Sequence, residues 1–355
     1  MDSVTAPPLD DLDQALLNQL QRRVPLDHRP FSVLGERLGI SEQECLDRVG
    51  RLKAAGMISR LSTVFDGRAL GYRSLLVAMR LPAARIEQAV SRLRTYPGLF
   101  RCERRDDAFG LWLTIAVAPT ESLDRLTRIL HTMATAEETI LLPSLKAYKV
   151  PQDPWTDRPN YPTGERIPLG AAPLNDQDVR WIRTLQEDLP LMELPYAVWA
   201  EQAESTEETL FAWMRKFENH GAMETICAMS PRPAGAMQAL AAWDIPGELL
   251  DSLAEQVALF RDVERCDRRP TYPSWPFALV ANLQATTDHG CRELAKRIAE
   301  RVGPFPGRLL MRSQTYLLEA PKYFLPTLDQ WWIRVAQSIE DRVGPTGPTT
   351  QRSTA

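Results

Sequence analysis

One short pattern of chemically capable residues occurs twice in this chain of 355 residues. Residues 100–105 read Phe-Arg-Cys-Glu-Arg-Arg, and residues 264–269 read Glu-Arg-Cys-Asp-Arg-Arg. The shared unit is Arg-Cys-acid-Arg-Arg. It brings together Arg101, Arg104 and Arg105 in one place, and Arg265, Arg268 and Arg269 in the other. A guanidinium group binds a carboxylate through two parallel hydrogen bonds, so three on one short segment suit a polycarboxylate ligand. Beside Glu103, Asp106 and Asp107 the same arginines would also suit a solvated, salt-bridged strand edge. Recurrence of the cluster beside Asp267 favours the ligand clamp. Cys102 and Cys266 stand at equivalent positions. They could bind iron as thiolates, or serve as small core residues, which is the commoner role of a free cysteine.

The two halves match beyond this motif. Val24-Pro25-Leu26 answers Leu189-Pro190-Leu191, Pro30-Phe31 answers Pro195-Tyr196, and Gly56 answers Gly221, all at an offset of 165. Matching this long implies a duplicated domain.

Stretches with helical and strand periodicity indicate what must position the arginines. Asp10 to Gln21 carries a leucine stripe, Phe31 to Leu38 forms a second helix stopped by Gly39, and Ser41 caps a third that runs to about Ala55. Met57 to Leu61 begins an extended wing. Three short helices and a wing predict a winged helix-turn-helix. A strand at 74–81, a helix at 83–96, strands at 99–104 and 109–117, a helix at 121–135 and a strand at 140–150 follow. That order, βαββαβ, is the ferredoxin-like unit.

Pro-rich residues 151–174 predict a linker, and Gly/Pro/Thr/Ser-rich residues 344–355 a disordered tail. The fold class expected is therefore α+β, a tandem duplication of a winged helix-turn-helix plus a ferredoxin-like domain. The boundaries expected are 1–62, 63–150, 175–230 and 231–330. The second copy carries four extra residues between Arg269 and Phe277.

Composition excludes several function classes. A net charge of −4 argues against a nucleic-acid polyanion as the main partner. The third helix of copy 1 balances Glu42, Glu44 and Asp47 against Arg48, Arg51 and Lys53, too few net positive charges for counterion release to drive DNA binding. Five scattered cysteines fit a reducing compartment. The acidic N-terminus has no signal-peptide pattern, and no apolar run is long enough to span a membrane, so the expected location is cytoplasmic. Four scattered histidines make a zinc site unlikely. There is no phosphate loop or nucleophilic triad.

A winged helix followed by a ferredoxin-like domain resembles the Lrp/AsnC layout. Within that layout the chain most resembles the siroheme decarboxylases, in the fused two-domain form of the haem d1 pathway. The resemblance covers about 10–150 and 175–325. It rests on Arg104-Arg105, Trp112, Arg268-Arg269 and the block Pro273-Ser274-Trp275-Pro276. Where the family pattern has histidines, this chain has Arg101, Asp107, Arg265 and Gln284. Where it has Tyr-Asn, the chain has Phe109-Gly110 and Phe277-Ala278.

The resemblance implies decarboxylation of acetate arms on siroheme, a macrocycle with eight carboxylates. It implies Arg101, Arg104, Arg105, Arg265, Arg268, Arg269 and Gln284 as ligands to those arms. It also implies Trp112, Trp275 and Phe277 as apolar walls, although large aromatics are as readily core. The reaction needs a proton donor, and arginine is a poor one. Tyr272 and Asp107 are the candidates.

No metal ligands, and no cofactor beyond the iron tetrapyrrole substrate, are expected. A related homologous subunit is a candidate partner. Two other classes remain open: a non-catalytic tetrapyrrole binder or partner subunit, and a ligand-sensing transcription regulator.

Overall fold

The structure, a computed structural model, describes residues 9–150, 174–229 and 237–343. The expected tail, and the expected linker apart from Leu174, lie outside the described residues. Copy 1 runs α1 Asp11–Arg22, α2 Pro30–Leu38, α3 Glu42–Ala54, β1 Arg60–Phe65, β2 Arg73–Arg80, α4 Ile86–Leu93, β3 Leu99–Arg105, β4 Leu111–Val117, α5 Leu123–Ala134, β5 Glu138–Leu142 and β6 Lys146–Lys149. Copy 2 runs α6 Asp176–Leu185, α7 Pro195–Gln202, α8 Glu207–Asn219, β7 Met223–Met229, β8 Met237–Trp243, α9 Gly247–Ala258, β9 Val263–Arg268, β10 Leu279–Ala285, α10 Asp288–Val302 and β11 Gly307–Leu318. Two short helices follow, α11 Pro326–Trp331 and α12 Gln337–Val343. The chain divides into two compact units, one of the helix-turn-helix parts and one of the ferredoxin-like parts.

In the helix-turn-helix unit, local chemistry sets the helix ends. Asp10 accepts from the Asp13 amide, Ser41 from the Glu44 amide, and Asn175 forms a full capping box with Asp178. Ser41 forms only half of a capping box, because Glu44 turns instead to Arg48. Gly39 ends α2 at φ 70°, a left-handed conformation open to glycine. The wing strand pairs with no partner in its own copy among the described residues. β1 pairs antiparallel with β7 of the other copy, with Ser62 opposite Cys227.

On α3, Arg48 is held by Asp10 and Asp13 at 2.7 Å, and Lys53 by Asp188 at 2.6 Å. Arg51 lies 3.8 Å from Asp13, so all three bases of α3 pair with acids of the protein itself.

The ferredoxin-like unit is continuous through its strand order. Its strands form one nine-stranded sheet, in the order β5-β2-β4-β3-β11-β8-β10-β9-β6. β11 joins the halves by pairing with β3 along one stretch and with β8 along another. The single strand expected at 140–150 splits in the same way. β5 pairs with β2, and β6 pairs with β9 of the other copy. β5 and β6 stand at opposite ends of the strand order, yet only residues 143–145 separate them. The sheet therefore closes on itself. The cause is length: each copy's last strand outruns its own sheet and continues into its sister's.

Helices α4 and α5 cover one face of copy 1, and α9 and α10 one face of copy 2, each over its own apolar core. A third core, drawn from both copies, fills the helix-free faces.

The C-terminal helices belong to copy 1 by packing. Trp331 is buried among the residues under α4 and α5 and stacks edge-on to Tyr96. Trp332 donates to the buried carboxylate of Glu121, which also accepts from Tyr96 and the Ala118 amide. The boundary expected at 330 thus cuts through a segment that docks on the first copy. Trp331→Ala is expected to destabilise this unit by about 3–5 kcal/mol in denaturant unfolding, the usual cost of emptying a buried tryptophan site.

Candidate functional site

The arginines lie on β3 and β9, and the strand period of two sorts them. Arg101, Glu103 and Arg105 share the helix-free face of β3, and Arg265 and Asp267 line up likewise along β9, with Arg269 just past its end. Cys102 and Cys266 point the other way, into the helix-covered cores. Each acid braces two arginines. Glu103 receives Arg101 and Arg105, both at 2.7 Å, and Asp267 receives Arg265 at 2.5 Å and Arg269 at 2.7 Å. Both acids are essentially inaccessible, at 2% and 1% exposed.

The inner arginines reach across the duplication. Arg105 donates to the Leu310 carbonyl of copy 2, and Arg269 to the Leu142 carbonyl of copy 1. Two residues beyond those carbonyls stand Arg312 and Ser144. Arg312 lies 3.6 Å from Glu103, and the Ser144 hydroxyl donates to Asp267 at 2.6 Å.

Burial pushes the Glu103 carboxyl up, but Arg105, Arg101 and Arg312 outweigh it and hold it down at about 2. Asp267 is likewise pushed up by burial and brought below its ordinary value by Arg269, Arg265 and Ser144.

Sequence reasoning grouped Arg104 and Arg268 with these pairs, and the structure separates them. Both follow a cysteine that faces the helices, so they face the helices too. Arg104 lies by Tyr316, which bonds Glu87 of α4. Arg268 lies by Tyr148, which bonds Asp251 of α9.

The aromatic residues fill the helix-free space instead of walling an open slot. Trp275 makes edge contacts with Phe109, Trp112 and Phe277 at centroid distances of 6.1, 5.4 and 5.0 Å. All four are buried. The insertion delivers Trp275 there, because Tyr272 and Trp275 pair back to back through their backbones across a Pro-flanked turn. Arg80 lies over the Phe109 ring and Arg308 over the Phe277 ring.

The two candidate proton donors are engaged. The Tyr272 hydroxyl donates to the Leu141 carbonyl at 2.7 Å. Asp107 accepts from the Phe109 amide at 3.0 Å and from Arg308 at 3.1 Å.

Gln284 lines a separate cavity of about 370 Å³ with Asp262, Glu293 and Arg297. Across β8 its partner in register is Gln238, a residue sequence reasoning missed. The side-chain oxygen of Gln238 accepts from Arg101 at 2.8 Å and from Arg312 at 3.0 Å. Period-two spacing would have set Arg104 and Arg268 aside. Nothing in the linear sequence points to Gln238, Ser144 or Arg312, because only the strand exchange brings them in.

Burial pushes both Cys102 and Cys266 thiols up to about 12, and both serve as small core residues under the helices. No cluster of His, Cys, Asp or Glu among the described residues could hold a metal ion.

Comparison with known proteins agrees with this architecture. A family profile for the siroheme decarboxylase NirDL-like HTH domain matches residues 13–58 and 178–223, and one for the AsnC-like ligand binding domain matches 69–149 and 234–316. The chain is 34% identical over 145 residues to the siroheme decarboxylase alpha subunit of Desulfovibrio desulfuricans, spanning 41% of this chain and 83% of that one. It is 24% identical over 321 residues to the siroheme decarboxylase of Hydrogenobacter thermophilus, spanning 89% and 96%. The crystal structure of the siroheme decarboxylase NirDL superposes with a TM-score of 0.74 at 23% identity, covering 93% of this chain and 100% of that one. That protein has also been solved in complex with an iron-uroporphyrin III analogue.

Glu103→Ala is expected to destabilise the protein by about 3–5 kcal/mol, since it strands two arginines in a buried site. The depressed acid also fixes a sign with pH. Its stabilisation is complete above the unfolded carboxyl range near pH 4–5 and is lost as pH falls toward 2. Glu103→Gln should flatten that acid limb in unfolding measured from pH 5 to 2.

Proposed function

The chain belongs to the siroheme decarboxylase family, and on that premise we propose that it removes carbon dioxide from acetate side chains of siroheme or a related iron tetrapyrrole, on a haem or haem d1 branch. The observation that carries the reading is the acid-braced arginine pair in each copy. Arg105 and Arg269 are spent on buried carbonyls. Arg101 and Arg265 are half-buried, leaving guanidinium surface to meet a ligand carboxylate. A fixed, charged donor set of this kind orients a polycarboxylate without reorganising.

No cofactor beyond the iron tetrapyrrole substrate is part of this proposal. A related homologous subunit is the proposed partner, supported by relatives described as alpha, NirG and NirDL subunits. No described helix is long and apolar enough to cross a membrane, and we place the protein in the cytoplasm.

A second reading, a non-catalytic tetrapyrrole binder, is favoured by the engagement of Tyr272 and Asp107. Anaerobic incubation with siroheme separates the two. Mass analysis should show loss of one or two carbon dioxide molecules; unaltered siroheme with a shifted visible spectrum would mean a binder. Siroheme neither altered nor shifted would exclude both readings.

Arg101→Ala should weaken siroheme binding about 10- to 100-fold, the worth of hydrogen bonds to a charged group. Arg268→Ala, on the helix-covered side, should leave affinity unchanged in the same spectral titration.

A further inference from the structure

Decarboxylation of an acetate arm leaves an electron pair on the carbon that held the carboxylate, and that carbon must take up one proton to become a methyl group. We infer that Glu264, tied to the Arg101–Arg312 pair through Gln238, supplies this proton; the inference rests on the reaction proposed above.

Three facts converge. Gln238 is buried, and its orientation is fixed: its oxygen takes both arginines, so its amide must point outward, and it donates to Glu264 at 3.1 Å. Arginine holds its proton too tightly to deliver it. Two carboxyl groups attach to this cluster, and they differ in accessibility. Glu103 is sealed between arginines and stays ionised. Glu264 is partly open to solvent, as a group that must be recharged with protons has to be.

The corresponding place in the other half is built differently. Ser144 stands where Arg312 does, so that half has one cation fewer at its acid. The asymmetry sets the reacting arm at the Arg101–Arg312 side.

An acetate carboxylate lies on Arg101 and Arg312, with Glu264 one hydrogen-bonded residue away through Gln238. The carbon–carbon bond breaks, carbon dioxide leaves, and the electron pair stays on the methylene carbon. That pair takes the Glu264 proton to form the methyl group. The Glu264 carboxylate then regains a proton from water.

The test compares single-turnover conversion of siroheme by the full chain and by Glu264→Gln. The variant should convert siroheme about 100-fold more slowly, the usual worth of a general acid, with its affinity in visible-spectrum titration unchanged. Glu264→Asp, which keeps the acid, should recover most of the rate. Wild-type rate in Glu264→Gln, in a preparation where the wild type converts siroheme, would overturn the assignment alone. A wild-type chain that releases no carbon dioxide would overturn the proposed reaction and the donor with it. Loss of siroheme binding in Glu264→Gln would make Glu264 a binding group and overturn its role as donor.

Discussion

A carboxylate without access to water needs partners, and that requirement organises the ferredoxin-like unit. Glu103 and Asp267 are each enclosed, and each is neutralised by two arginines two residues away on the same strand. Arg105 and Arg269 are enclosed as well, and their remaining donors need acceptors. Those acceptors are carbonyls of the other copy, Leu310 and Leu142. Neither half can satisfy its own charges alone. The exchange of last strands that closes the sheet is therefore also what satisfies the charges.

The same closure produces the aromatic core. With strands joined around the sheet, the helix-free faces have no solvent side on which to place Trp112, Phe109 and Phe277. The four-residue insertion uses that situation by folding Trp275 into the middle. Arg80 and Arg308 then lie over the Phe109 and Phe277 rings. The charged clusters and the apolar core occupy neighbouring parts of one face, so the arginines are preorganised against rigid packing.

Much of this was legible in sequence. The duplication, the helix cap at Ser41 and the βαββαβ order follow from repeat offsets, capping residues and apolar period. What sequence hides is pairing between distant segments. A strand's register with its own hairpin is set locally, but the choice of β11 as neighbour for β3 is made by the whole sheet. For that reason Gln238, 137 residues from Arg101, could not be placed beside it from the sequence. Arg104 and Arg268 failed for a simpler reason. Adjacency in sequence was taken for adjacency in space, where a strand sends neighbours to opposite faces. Tyr272 and Asp107 looked like available proton donors because Leu141 and Arg308, which engage them, come from the other copy.

Duplication gives two clamps the same backbone, and subsequent substitution makes them unequal. The carbonyls of Leu310 and Leu142 accept equivalent arginines, so Arg312 and Ser144 two residues later are equivalent positions. A hydroxyl at Ser144 completes the coordination of Asp267 and adds no charge. A guanidinium at Arg312 adds a third positive charge beside the Glu103 carboxylate. Gln238 accepts from Arg312, and Glu264 stands one hydrogen bond further out. The clamp at Glu103 thus holds one guanidinium more than the clamp at Asp267. An anionic ligand arm gains most there, so the difference between the two clamps rests on one residue of a last strand that the fold lends to its sister.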